Sequence, residues 1–117
     1  MTVKRIVANV ACGSVKDVQH FYEDLFGLDV AMDHGWIVTL ASNETARTQL
    51  SIASEGGSGT AVPALSIEVE NVDATHERAR RLGHPIAYEI TDEPSGVRPF
   101  YVTDPAGTLV NVLSHPS

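Results

Sequence analysis

Five histidines and one cysteine are the side chains here best suited to ligating a transition metal or moving a proton near neutral pH. His20 and His76 fall within stretches of helical period, His84 follows the second stretch, and His34 lies in a turn beside Gly35. No two histidines stand at an i, i+4 spacing, and none has a companion carboxylate in a recognised metal-binding pattern. They read as surface or half-buried histidines. His115 is the exception, because it shares strand phase with Asn111 and Leu113. Cys12 stands just before a helix start, where a thiol can lose its proton more easily. Without a histidine base in reach of it by motif, it reads as a small packing residue.

Other residues could bind rather than react. Trp36 begins a strand after a glycine turn and serves either as core or as the flat wall of a cleft. Phe100 and Tyr101 are adjacent in a strand, so one faces a cleft and the other the opposite side. Arg98 could clamp an anion, although a salt bridge to Glu93 is the simpler reading. Glu68 could meet a cation, and its simpler reading is a pair with Arg5.

These residues must be positioned by elements that the pattern makes visible. Residues 4–11, KRIVANVA, read as a strand. Ser14 stands at an N-cap position with Asp17 three residues on, near to a capping box. Val15, Val18, Phe21, Tyr22, Leu25 and Phe26 then form one helical stripe, closed by Gly27. Strands follow at 28–32, 36–41 and 47–53. The segment 54–63, SEGGSGTAVP, reads as flexible.

The pattern then restarts. Residues 64–70 alternate as a strand, Asn71 caps a helix over 72–82, and Gly83 closes it. Strands follow at 85–90, 97–103 and 108–114, the last two joined by the turn TDPAGT. Asp17 and Asp73, Phe26 and Leu82, and Gly27 and Gly83 all stand 56 residues apart. The chain is therefore an internal duplication of strand, helix and three strands. Its fold class is α+β, with module 1 over 1–55, a linker over 56–61 and module 2 over 62–117.

Alternation assigns faces. Ile6, Ala8 and Val10 face the first helix, and Leu65, Ile67, Val69, Val110 and Val112 face the second. Arg5, Val7, Asn9, Ala64, Ser66, Glu68, Glu70, Leu109, Asn111 and Leu113 are left on the open face. That mixture of polar and apolar groups suits a small-molecule pocket better than a sealed core.

Length and charge narrow the partners. A chain of 117 residues can bury a core without metal or disulfide support. Eight Lys and Arg against 15 Asp and Glu give a net charge of −7, which repels phosphate backbones and anionic lipid surfaces. Nucleic-acid and membrane partners are not expected. No apolar run approaches the roughly 20 residues of a membrane span, and the N-terminal stretch has no signal-peptide pattern. With a single cysteine there is no internal disulfide, and a cytoplasmic location is expected.

HFYEDLFGLDV at 20–30, the restart at 64–83 and EPSGVRPFYVTDPAGTLVNVLSH at 93–115 together resemble the vicinal oxygen chelate superfamily. This is the glyoxalase/bleomycin-resistance/dioxygenase fold, and the resemblance covers essentially the whole chain. It implies two tandem βαβββ modules forming curved mixed sheets around a cleft, often in a homodimer. Metal-dependent members carry ligands at four cleft positions, which fall here on Val7, Gln49, Ala64 and Asn111. Val and Ala offer no lone pair, and amide oxygens are weak ligands beside carboxylate or imidazole. No metal and no cofactor are expected.

Two readings follow. One is a metal-free protein that binds and sequesters an aromatic, possibly cationic compound such as an antibiotic, as bleomycin-resistance members do. The other is a glyoxalase-like lyase, isomerase or oxygenase with a metal-free or shifted metal site, for which His115, Glu68 and Arg98 are the candidate acid–base or clamp groups. The expected ligand-binding set is Val7, Asn9, Trp36, Gln49, Ala64, Ser66, Glu68, Asn111, Leu113 and His115.

Overall fold

The computed structural model describes residue 5 and residues 7–46 and 49–115. Helix α1, Val15–Phe26, forms where the apolar stripe is continuous. It buries Val18, Phe21, Tyr22 and Leu25, and ends at Gly27 with φ of 68°, a left-handed conformation that favours glycine. Ser14 has the extended backbone of an N-cap, but its hydroxyl makes no capping hydrogen bond. The capping box suggested by Ser14 and Asp17 is therefore present in backbone conformation but not in a Ser14 side-chain bond. In α2, Val72–Arg81, the cap is complete: Asn71 Oδ1 accepts from the Ala74 amide at 3.1 Å. Arg78, Arg80 and Arg81 in its last turn complement the helix dipole.

The second half is the expected βαβββ unit. Strands β3, Leu65–Glu68; β4, Ile86–Tyr88; β5, Arg98–Thr103; and β6, Leu109–Ser114, form one sheet in the order β3-β6-β5-β4. β3 pairs parallel with β6, and the other two pairings are antiparallel. The register sets Ser66 beside Asn111, and Asn111 beside Tyr101.

Strand alternation divides the two faces as expected. Phe100, Val102, Val110 and Val112 are fully buried and pack with Val72 and Ala79 of α2. Leu65, Ile67 and Val69 pack against the same cluster. Phe21, Tyr22 and Leu25 of α1 join it, so both helices share one core. Phe100 takes the helix side, its ring 5.0 Å from that of His76, and Tyr101 takes the other face.

The first half is thinner. β1, Asp29–Asp33, and β2, Val38–Ala41, form a separate antiparallel pair, and every residue of β1 is exposed. Strands expected at 4–11 and 47–53 are not formed over the described residues 7–11 and 49–53. Ile6 lies outside the described residues. Leu50 is 75% and Ile52 92% exposed, so their β-prone side chains meet no ladder. Strand propensity expresses packing against neighbours, and among the described residues neither segment has a paired neighbour.

The 56–61 linker also differs from expectation. Gly57–Gly59 form a 3₁₀ turn laid on the sheet face opposite the helices. The Gly57 amide donates to the Tyr101 hydroxyl at 2.8 Å, and the Gly56 amide to the Thr60 carbonyl at 2.7 Å. A Cβ on Gly56 would collide with the Ala61 carbonyl and with the Thr60 and Tyr101 hydroxyls. Glycine here permits close backbone approach rather than motion.

Candidate functional site

α1 offers the N-terminal half an apolar face that the hairpin covers only in part. Between α1, the segment before it, β2 and β3 lies a cavity of about 770 Å³. Val15, Val18 and Tyr22 form its helical wall; Val38 and Leu40 stand across from them, with Leu65 and Ile67 at the module junction. Trp36 stands at its margin, 78% exposed. Arg5 is the charged residue among the described lining, and that lining contains no His, Asp or Glu. The cavity can hold a flat apolar molecule by burial and stacking. Its walls supply no general acid–base pair.

The Tyr22 hydroxyl leaves the cavity wall to donate to Asp104 Oδ2 at 2.8 Å, in buried surroundings. Asp104 Oδ1 accepts from the Ala106 and Thr108 amides at 2.9 and 2.8 Å, shaping the β5–β6 turn. Burial pushes the Tyr22 phenol well above its ordinary pKa, and the bond and charge of Asp104 push it further. The pair therefore ties the helix that walls the cavity to the second module's sheet.

The structure divides the expected ligand-binding set. Val7, Asn9 and Trp36 line the cavity. Ser66, Glu68, Asn111 and Leu113 lie on the opposite face of the second sheet, as alternation requires. There Asn111 Nδ2 donates to Ser66 Oγ at 3.1 Å. Glu68 pairs with His115 Nδ1 at 3.0 Å and not with Arg5. Ala64 sits exposed ahead of β3, its amide donating to the Leu109 carbonyl at 2.8 Å. Gln49 is exposed and is not part of the cavity lining.

Arg98 is committed elsewhere. It bonds Asp73 at 2.9 Å and Asp92 at 3.0 Å. The hydrogen bond from Arg98 lowers the Asp73 pKa, and those carboxylates raise that of Arg98. Glu93, its expected partner, accepts instead from Tyr88 and Ser58. Burial lowers the His84 pKa, with the ring edge-on to Phe21 at 4.6 Å. Cys12 is exposed at the cavity margin.

At the four positions that the resemblance assigns to metal ligands stand Val7, Ala64, Gln49 and Asn111, side chains that do not fit a transition metal. Among the described residues no three His, Cys, Asp or Glu cluster to hold an ion.

Sequence reasoning missed Gln19, Tyr22, Val38 and Leu40 as lining residues. The signal for Gln19 was present: it stands four residues after Val15 and three before Tyr22, a polar residue within an apolar stripe.

Comparison with known proteins places this geometry. The family model described as Glyoxalase/Bleomycin resistance protein/Dioxygenase superfamily matches residues 4–112. TnmS3, an antibiotic binding protein from Streptomyces sp. CB03234, superposes with a TM-score of 0.71 at 18% identity, over 99% of this chain and 97% of that one. Lactoylglutathione lyase from Agrobacterium tumefaciens gives 0.66 at 18% identity, over 97% and 92%. TioX from Micromonospora sp. ML1 gives 0.65 at 18% identity, over 96% of each. At these identities the likeness is one of fold. No curated protein matches the chain in sequence.

Proposed function

This chain belongs to the Glyoxalase/Bleomycin resistance protein/Dioxygenase superfamily, and from that premise we propose that it is a small-molecule binding protein that sequesters a planar aromatic compound without metal. The observation that carries this reading is the cavity of about 770 Å³, whose described walls are largely apolar and contain no His, Asp or Glu. Such a volume suits a drug-sized molecule. The antibiotic-binding neighbour TnmS3 supports the same class of ligand, an antibiotic or similar compound. A cationic ligand drew its support from Glu68, which pairs with His115 outside this cavity, so the cavity favours a neutral ring system.

The protein acts in this reading as a homodimer in the cytoplasm, without nucleic-acid or membrane partners. Support comes from the exposed Leu50 and Ile52, from unpaired strand edges at β3 and β4, and from the net charge of −7. Among the described residues no helix is long and apolar enough to cross a membrane.

The test is calorimetric titration of the purified protein with a panel of neutral and cationic planar aromatics. Binding of at least one member below about 100 µM is expected. Absence of any binder at that level would remove the reading.

A further inference from the structure

Arg98 is held by Asp73 and Asp92, and Glu68, the expected partner of Arg5, is held by His115. Arg5 is left as a cation without a carboxylate: among the described residues it makes no ion pair. It lines the cavity, is exposed, and is the one charged residue of the described lining. An exposed lining residue stands at the mouth, where the apolar wall gives way to water. Its guanidinium is a planar fork of N–H donors that matches the two oxygens of a carboxylate. With no ion pair to break, it is free to turn to a group held at the mouth. A ring buried against Val15, Val18, Val38 and Leu40 leaves its polar substituent at that place.

We propose that the cavity selects aromatic carboxylates, with the neutral ring system held by the apolar walls and the carboxylate at the mouth taken by Arg5. This deepens the binding reading above and rests on it. Trp36 and the walls give the affinity common to charged and uncharged ligands, and Arg5 gives the difference between them. An amine at the same place meets Arg5 as a like charge, and no Asp or Glu of the described lining receives it. The net charge of −7 opposes the approach of any anion, so the selection comes from the local pair against the field of the whole chain. Its size is that of a single ion pair beside solvent.

The probes are 2-naphthoate and 2-naphthamide, which share size and flatness but differ in charge. Each is titrated calorimetrically at neutral pH into the wild-type protein and into Arg5→Gln, which keeps an N–H donor and removes the charge. Wild type is expected to bind 2-naphthoate about fivefold more tightly than 2-naphthamide. In Arg5→Gln that ratio should fall to about one or below, with 2-naphthamide affinity kept within about twofold. Equal binding of the two probes by wild type would overturn the assignment while leaving aromatic binding intact. So would a preference that persists in the variant. Failure of wild type to bind either probe at about 0.5 mM would remove the binding reading and this assignment together. Should the variant not fold, indole-3-acetate and indole-3-acetamide on wild type give a second ratio, and values near one for both pairs overturn the proposal.

Discussion

The Tyr22 hydroxyl reaches across the molecule to Asp104, 82 residues away in sequence, and closes a 2.8 Å hydrogen bond. It couples the helix of the first module to the hairpin turn of the second. Tyr22→Phe leaves Asp104 Oδ2 buried without its donor, while Oδ1 keeps two backbone amides. The expected loss is about 1–3 kcal/mol of unfolding free energy, measured by urea denaturation. An unchanged midpoint and slope would show that the bond contributes nothing net.

The same phenol makes stability depend on alkaline pH. Its pKa is raised in the folded state, first by burial and then by Asp104. Above the ordinary tyrosine value of about 10, the unfolded chain releases this proton and the folded one keeps it. Stability from this group is therefore full below about pH 10 and falls by about 1.4 kcal/mol per unit above it. Tyr22→Phe should flatten that part of the profile, as thermal melts between about pH 9 and 11 would show.

Trp36 is 78% exposed at the cavity margin and is the single tryptophan of the chain. Trp36→Ala should weaken an aromatic ligand at least about tenfold, since stacking adds to buried area. Its emission in wild type should change as ligand is added, and the calorimetric affinity of the variant checks the magnitude. Equal affinities would place the ligand elsewhere.

Glu68→Gln separates the cavity from the opposite sheet face. Glu68 bonds His115 and does not line the cavity. Binding of a neutral aromatic should be unchanged within about twofold, since a distant exposed charge is screened by salt. A larger loss would return Glu68, and with it Ser66 and Asn111, to the binding site.

Gly56→Ala tests the docked linker. The added methyl meets the Ala61 backbone and the Tyr101 hydroxyl, so the turn must lift from the sheet. About 1–3 kcal/mol of destabilisation is expected by denaturation, the usual range for forced overpacking. Ser58, already at φ of 53°, has no such contact constraint on a change to glycine, and Ser58→Gly should be tolerated better.

The second module was legible because each of its strands pairs with another in the same sheet and alternates across its two faces. Leu65, Ile67, Val110 and Val112 carry the period that their burial obeys. In the first module Leu50 and Ile52 carry the same period, yet a period specifies a strand only where a neighbouring edge accepts it. Glycine-rich composition marked the linker as loose, while the decisive contact, Gly57 with Tyr101, spans 44 residues and leaves no local trace. The expected site rested on strand faces alone. The cavity is walled by α1, so helix-borne Gln19 and Tyr22 were left outside it.

The place of β6 in its sheet bears on how the chain is made. β6 is bonded on one side to β3 and on the other to β5, so it alone joins β3 to the rest of the sheet. A nascent chain emerges with β3, α2, β4 and β5 before the strand that links β3 to β5 exists. Until residue 114 clears the ribosome, β3 has no strand to join, and Val72 and Ala79 lack the Val110 and Val112 surface they pack on. Folding of the second module is thus held back until β6 has been made, with its apolar residues exposed in the interval. Chains arrested at about residue 107 should be cut readily by protease, and those extended past 114 should resist.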